Sequence, residues 1–152
     1  MLITRRLEFD AGHRIPDHKS QCRHLHGHRY AIGITLSGDI IRQDGDAANG
    51  MVMDFSDVKA LAKQHVVDLW DHAFLVYSGD ALVLDFLRTI PEHRTVVLDC
   101  VPTAENLAAA LNKIDDVTAT AVGAVVSVYG PVSVIVWYVE QSSGRSEERR
   151  VG

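Results

Sequence analysis

Two early segments of the chain alternate apolar and polar positions. Residues 2–9 mix the two classes and include β-branched side chains. Residues 26–37 carry apolar side chains at every second position, namely Tyr30, Ile32, Ile34 and Leu36. A period of two predicts half-buried strands in both segments. The glycine, proline and aspartate between them predict a loop over residues 10–21.

The middle of the chain has a helical period. Apolar residues recur every three or four positions over Val58–Trp70, which predicts an amphipathic helix of about four turns. Asp54 or Ser56 is the expected N-cap. A second, short helix is predicted over residues 80–90, and residues 95–99 are consistent with a short strand.

The last third combines a capped helix with a long uncharged run. Thr103 is placed to cap a third helix, with Glu105 in its first turn, where negative charge suits the helix dipole. Residues 117–139 carry no charge and include nine valines and the breaker Gly130–Pro131. This composition predicts one or two buried strands, and a membrane span is the alternative.

Composition narrows the class of protein. The chain has 152 residues, of which 47% are hydrophobic and 23% charged, so one globular domain is expected and a disordered chain is excluded. A net charge of -5 without a basic patch argues against nucleic-acid binding. Two cysteines cannot form a disulfide framework. The first residues lack an apolar signal stretch, so we expect a cytoplasmic protein without membrane attachment.

Histidines are concentrated early in the chain. Five of the eight lie between residues 13 and 28. On a strand, His26 and His28 share one face about 7 Å apart. His13, at the end of the preceding strand, can lie beside them if the two strands pair. Three imidazoles are a common zinc ligand set that leaves a fourth position open for catalysis, so Zn²⁺ is the expected cofactor.

Other readings of this region remain open. Cys22, four residues before His26, is compatible with a metal ligand, a buried filler or a reactive thiolate. A closed structural site of Cys22 and histidines is therefore an alternative, and His24 shares the strand parity of His26. Farther along, Asp71 and His72 are either a contact at a helix end or an oriented acid–base pair.

Five motifs in order resemble a known family. They are Phe9-x-Ala11-x-His13, Cys22-x-x-x-His26-Gly27-His28, Gly50-Met51-Val52-Met53-Asp54-Phe55, Trp70-Asp71-His72-Ala73-Phe74-Leu75 and Pro102-Thr103-Ala104-Glu105-Asn106-Leu107. Together they resemble the 6-pyruvoyltetrahydropterin synthase / 6-carboxytetrahydropterin synthase family over roughly residues 1–112. The three residues between Cys22 and His26 resemble the bacterial 6-carboxytetrahydropterin synthase branch.

The resemblance implies an architecture. The implied fold class is α+β, a tunnelling fold (T-fold) with an antiparallel sheet in ββααββ order and helices packed on one face. Trimers of this fold would pair into a homohexamer. We expect residues 1–144 to form a single T-fold catalytic domain. Residues 145–152 resemble a translated sequencing adapter and are expected to be a non-native or disordered tail.

The resemblance also implies an activity. The expected reaction converts the pterin substrate 7,8-dihydroneopterin triphosphate to 6-carboxy-5,6,7,8-tetrahydropterin, acetaldehyde and triphosphate, in queuosine biosynthesis. Alternatives are a 6-pyruvoyltetrahydropterin synthase, which eliminates triphosphate from the same substrate, and a non-catalytic zinc-binding module.

Site residues follow from the same resemblance. The implied zinc ligands are His13, His26 and His28. The implied catalytic residues are Cys22 as the proton-abstracting base, Asp71 with His72 as a relay, and Glu140, which would also grip the pterin ring. Thr103 and Glu105 match positions near the pterin pocket. Glu140 is followed by Gln141 where the family usually has threonine.

Overall fold

The computed structural model describes residues 1–111 and the backbone of residues 133–142. Within this part, five strands form one sheet in the order β4-β3-β1-β2-β5. The strands are β1 (Leu2–His13), β2 (His26–Ser37), β3 (Phe74–Tyr77), β4 (Thr95–Leu98) and β5 (Ser133–Ser142).

The antiparallel pair β1–β2 is the centre of the sheet. Its register runs from Leu2 opposite Ser37 to His13 opposite His26. The predicted strand over residues 26–37 is confirmed. The loop predicted over residues 10–21 is wrong for its first four residues, because strand pairing continues to His13 and the buried alternation continues with it.

The short strands β3 and β4 extend the sheet in parallel, so the sheet is mixed, in contrast to the antiparallel sheet expected. β3 joins β1 through only two residue pairs, Gly12 with Phe74 and His13 with Leu75. β4 then pairs with all four residues of β3. β3 was not predicted, because its four consecutive apolar or aromatic residues show no alternation. At the opposite edge of the sheet, β5 pairs antiparallel with β2.

One continuous helical run precedes the candidate acid–base residues. It comprises α1 (Phe55–Ala62), a π-helical turn (Lys63–Val67) and α2 (Asp68–Trp70). The Asp54 side chain caps its start by accepting a hydrogen bond from the Ser56 amide, as one of the two expected caps. The predicted helix is therefore confirmed, apart from the wider turn in its middle.

The π-helical turn keeps the buried side chains in line. Val58, Ala62, Val66 and Trp70 are each four residues apart, and all are buried. In a regular α-helix of 3.6 residues per turn, each such step advances by about 40°, so the fourth residue would be about 120° from the first. A wider π turn offsets part of that drift. Trp70 consequently remains in the core, where its ring packs edge-on against Phe9.

Two further helices were predicted and are present. α3 (Ala81–Arg88) is capped by Asp80, whose carboxylate accepts from the Val83 amide. α4 covers residues 104–111, and the Thr103 hydroxyl accepts from the Asn106 amide at 3.2 Å. The predicted cap at Thr103 is thus confirmed.

The helices pack on the sheet, which confirms the α+β class. The main core joins the inward face of β1 and β2 to the helical run and to Leu107 and Leu111 of α4. β3 contributes buried side chains to both faces of the sheet. Leu75 belongs to the main core, whereas Val76 packs with Val83 and Leu87 of α3. Because neighbouring strand residues point to opposite faces, α3 covers the other face, in contrast to the single helical face expected.

Some expectations fall outside the described residues. These are most of the uncharged run, residues 117–132, and the tail, residues 145–152. In the part of the chain that the structure describes, none of the helices combines the length and the apolarity needed to cross a bilayer.

Leu107 provides a direct test of the core. Its side chain is fully buried, whereas Leu82 on α3 is 74% exposed. We predict that Leu107→Ala lowers the free energy of unfolding by about 2–5 kcal/mol, because it removes buried methyl groups and leaves a cavity. Leu82→Ala should change it by less than about 0.5 kcal/mol. Urea denaturation of both variants measures the difference, and equal effects would contradict the assigned packing of α4.

Candidate active site

Three histidines converge at one end of the β1–β2 ladder. His13 is directly opposite His26, and His28 is opposite the small residue Ala11. All three lie on the face that carries the main core. Their ring centroids are 4.5–5.0 Å apart, and one ligand nitrogen from each lies within 4.8 Å of the others. We call His13, His26 and His28 the triad.

Backbone carbonyls orient two rings of the triad. His13 Nδ1 lies 2.7 Å from the carbonyl oxygen of Pro102, and His26 Nδ1 lies 2.7 Å from that of His24. A carbonyl can only accept, so each Nδ1 must carry the proton and donate it. In the neutral rings, each Nε2 then keeps its lone pair, the form in which imidazole binds a metal.

The triad fits a tetrahedral metal ion. The two Nε2 atoms of His13 and His26 face each other 3.0 Å apart. With both protons committed to carbonyls, two lone pairs at this distance repel unless a cation lies between them. Two nitrogens about 2.0–2.1 Å from one tetrahedral Zn²⁺ would be about 3.3 Å apart, close to this spacing. Burial lowers the pKa of His13 to about 4, so this ring is neutral at pH 7 and available as a ligand.

Aromatic rings form the layer next to the triad. Tyr30 is fully buried, with its ring 6.0 Å from that of His13 and 5.9 Å from that of His28. Phe9 stacks on Tyr30 at 5.3 Å. Burial raises the pKa of the Tyr30 hydroxyl, which therefore stays protonated. Rings packed in this way limit the rotation of the histidine side chains.

Cys22 lies outside the metal-ligating cluster. It sits in a 3₁₀ turn (Gln21–Arg23), is partly exposed and forms no disulfide. Its carbonyl accepts a hydrogen bond from the Ile15 amide at 2.8 Å, which closes the loop that follows β1. Among the described residues, the candidate metal-binding cluster consists of histidines alone. This arrangement favours three protein ligands over a closed site that includes the thiol.

Asp71 and His72 form an oriented pair. His72 Nδ1 lies 2.9 Å from Asp71 Oδ2. The other oxygen, Oδ1, accepts a hydrogen bond from the Asp10 amide at 3.0 Å. That bond, together with the contact to His72, holds the pKa of the Asp71 carboxyl below its ordinary value. An ionised carboxylate against Nδ1 fixes the ring tautomer that leaves Nε2 as the reactive nitrogen.

The backbone at this pair is strained and tied to its surroundings. His72 has φ 57°, a left-handed conformation that non-glycine residues adopt uncommonly. Its amide donates to the Asp10 carbonyl at 2.7 Å, and Arg94 donates to the Asp71 carbonyl at 2.9 Å. Such strain persists where surrounding contacts overdetermine it, and it clusters at functional sites.

The pair and the triad do not touch within one chain. The His72 side chain is 78% exposed. In the described ranges 1–111 and 133–142, its polar contacts are with Asp71 and Asp10, and none reaches the triad or Cys22. The structure therefore assembles two separate units, a candidate metal centre and a surface acid–base pair.

The remaining predicted residues have different surroundings. Thr103 directly follows Pro102, whose carbonyl holds His13, so the start of α4 adjoins the triad. Glu105 is exposed in the first turn of that helix. The backbone of Glu140 lies in β5 opposite Ala31 of β2.

Several supporting groups were missed from sequence. The carbonyls of Pro102 and His24 orient ligands, but a carbonyl has no residue-specific signal. Tyr30 continues the two-residue period of His26 and His28, so the alternation that predicted β2 was sufficient to find it. Asp10 and Arg94 are distant in sequence from the pair that they support.

An α+β sheet whose central hairpin carries an open three-histidine cluster defines a T-fold protein with a candidate metal centre. The family model described as 6-pyruvoyl tetrahydropterin synthase matches residues 2–128. The chain belongs to this family, as its motifs indicated.

Curated relatives agree with this assignment. The chain is 41% identical over 105 residues to 6-carboxy-5,6,7,8-tetrahydropterin synthase of Rickettsia bellii, covering 69% of this chain and 72% of the relative. It is 38% identical over 73 residues to the Haemophilus influenzae protein of the same name, covering 48% and 50%.

Solved structures share the fold. An uncharacterized protein of Wolinella succinogenes aligns with a TM-score of 0.69 at 22% identity, covering 95% of this chain and 94% of the other. The 6-pyruvoyl tetrahydropterin synthase of Plasmodium falciparum aligns with a TM-score of 0.55 at 17% identity, covering 93% and 98%. At these identities the comparison establishes the T-fold.

The triad predicts a defined metal stoichiometry. We predict one zinc per chain in the purified protein and its loss in His26→Ala or His28→Ala, because each change removes one of three ligands. His24→Ala should retain the metal, because His24 supplies only its backbone carbonyl to His26. Elemental analysis of the dialysed variants measures zinc content. Undiminished zinc in both ligand variants would refute the assignment.

Proposed function

We propose that this chain is a zinc-dependent 6-carboxy-5,6,7,8-tetrahydropterin synthase. It would convert 7,8-dihydroneopterin triphosphate to 6-carboxy-5,6,7,8-tetrahydropterin, acetaldehyde and triphosphate, in queuosine biosynthesis. The observation that carries the proposal is the 41% identity over 105 residues to a relative of that name. We also propose, from the family resemblance, a cytoplasmic homohexamer.

The triad would hold the metal through His13, His26 and His28. When bound there, zinc supplies a Lewis acid that polarises substrate oxygens and makes the adjacent C–H bonds more acidic. The carbonyls of Pro102 and His24 keep two rings in the ligating tautomer. Tyr30 and Phe9 exclude water from the inner side of the rings.

Proton transfer would be divided between Cys22 and His72. Cys22, beside the triad in sequence but not in the ligand cluster, would take a proton from the substrate side chain. His72, oriented by Asp71, would move a proton to or from oxygen. Because these groups lie apart in one chain, the substrate must bridge them or a second copy must supply one of them.

Recognition of the pterin ring would involve the end of the sheet and the start of α4. A Glu140 carboxylate would accept the two N–H groups of the guanidine-like pterin edge in a charge-assisted pair. Thr103 and Glu105 are proposed near the pterin because they match family positions there, and Thr103 directly follows Pro102, whose carbonyl holds His13.

Product analysis tests the proposal. Purified protein loaded with zinc is incubated with 7,8-dihydroneopterin triphosphate, and the products are identified by mass spectrometry. Acetaldehyde with 6-carboxytetrahydropterin supports the proposal. Triphosphate release without acetaldehyde would instead identify a 6-pyruvoyltetrahydropterin synthase, and tightly bound zinc without turnover would favour a non-catalytic module.

Cys22 separates catalysis from metal binding. We predict that Cys22→Ala retains zinc and loses turnover, because the thiol lies outside the ligand cluster. Zinc content and the turnover number are measured on the same preparation, with Cys100→Ala as the matched control. Loss of zinc in Cys22→Ala would make Cys22 a ligand and support a closed structural site.

His72 tests the proposed relay. We predict that His72→Ala lowers turnover by about 10²–10⁴-fold, the usual contribution of general acid–base catalysis, and leaves zinc content unchanged. Asp71→Asn should lower turnover by a smaller factor, because it disturbs the tautomer of His72 but keeps the imidazole. Turnover numbers and melting midpoints are compared for both variants. Normal turnover with a lowered midpoint would show that His72 is structural.

A further inference from the structure

A two-pronged ion pair lies beside the triad. Arg14 directly follows His13, and its Nε and Nη2 donate to the two carboxylate oxygens of Asp80 at 2.6 and 2.7 Å. The Asp80 side chain is 3% exposed and that of Arg14 is 20% exposed. Five other ion pairs, by contrast, have both side chains at least 37% exposed. The Arg14–Asp80 pair is therefore largely shielded from solvent.

His13 lies at the end of two strand ladders of the sheet. It is the last residue of β1, so the ladder with β2 ends at His13 opposite His26. The ladder with β3 also ends there, after only two residue pairs. Ends of hydrogen-bonded ladders open at lower free energy than their middles. A ligand at such an end requires a further restraint to keep a fixed position.

Asp80 is itself firmly held. It caps α3, with its carboxylate near the Val83 amide and its carbonyl accepting from the Leu84 amide at 3.0 Å. α3 in turn packs through Val83 and Leu87 on Val76 of β3. The Arg14 guanidinium therefore ties the residue after His13 to a helix that is anchored on the neighbouring strand.

The small net stabilisation expected of this ion pair indicates that its role is to fix the positions of the residues that it joins. A buried ion pair adds little net stability, because desolvation offsets most of the attraction. A planar guanidinium on a carboxylate does fix distance and orientation together. We infer that the Arg14–Asp80 pair is a positioning clamp that holds His13 in metal-binding geometry. This inference rests on the metal site of the proposed function, and it makes Arg14 and Asp80 positioning residues.

Metal affinity tests the clamp more directly than activity does. Arg14→Lys keeps a positive charge but loses the two-pronged geometry, and Asp80→Asn removes the charge but keeps a good helix cap. Both variants should bind zinc about 10-fold more weakly, within the range typical of groups that orient metal ligands. Zinc Kd is measured by competition with a chelator, and the visible spectrum of the Co²⁺-loaded protein reports ligand geometry.

A matched ion pair on the same helix provides the control. Arg88 and Asp85 of α3 also form an ion pair, but both side chains are more than 70% exposed. Arg88→Lys should leave zinc Kd and the cobalt spectrum unchanged. Circular dichroism of the metal-free variants gives the folded fraction, by which each Kd is corrected.

The outcomes separate positioning from stability. A weaker corrected Kd with an altered cobalt spectrum in Arg14→Lys or Asp80→Asn supports the clamp. A lowered melting midpoint with unchanged Kd and spectrum would overturn it, since the pair would then serve stability alone. Failure of the proposed function has a different signature, because a wild-type protein that binds zinc but makes no product leaves the affinity comparison intact.

Discussion

The register between β1 and β2 is the constraint on which the rest of the structure depends. Their antiparallel ladder places Phe9 opposite Tyr30 and His13 opposite His26. Because side chains alternate between faces, one register decides both which residues enter the core and which imidazoles converge. A slip of β1 by one residue would turn Phe9, Ala11 and His13 together to the opposite face and separate His13 from His26 and His28. Core packing therefore also enforces the geometry of the candidate metal site.

The apolar core and the polar site share one continuous face. Beyond Tyr30, the inward positions of β2 change from apolar residues to His28 and His26. Burial in the neighbouring core keeps the His13 ring neutral. The one N–H group of this neutral ring donates a hydrogen bond to the Pro102 carbonyl. The cost of burying a polar ring is thus offset by a hydrogen bond that also selects the ligating nitrogen.

The acid–base pair follows a different principle. Asp71 and His72 lie at the surface, so their orientation comes from hydrogen bonds rather than from burial. Backbone groups of Asp10 hold both residues, and Arg94 holds the turn from the other side. The π-helical turn upstream keeps Trp70 in the core, which fixes where the chain leaves the helix. A strained His72 backbone is the local consequence of these restraints.

The sequence by itself determined the elements with a clear period and the residue types of the candidate site. Alternation identified β2 to its ends, a helical period and the Thr103 cap located two of the helices, and the spacing of His26 and His28 predicted the metal cluster. Tertiary structure alone decided the extension of β1 to His13, the addition of β3 and the side on which α3 packs. It also decided the support of each site residue, from the Pro102 carbonyl to the Arg14–Asp80 pair. The physical reason is that periodicity records how one segment faces a core, whereas pairing partners, ladder ends and backbone acceptors depend on segments distant in sequence.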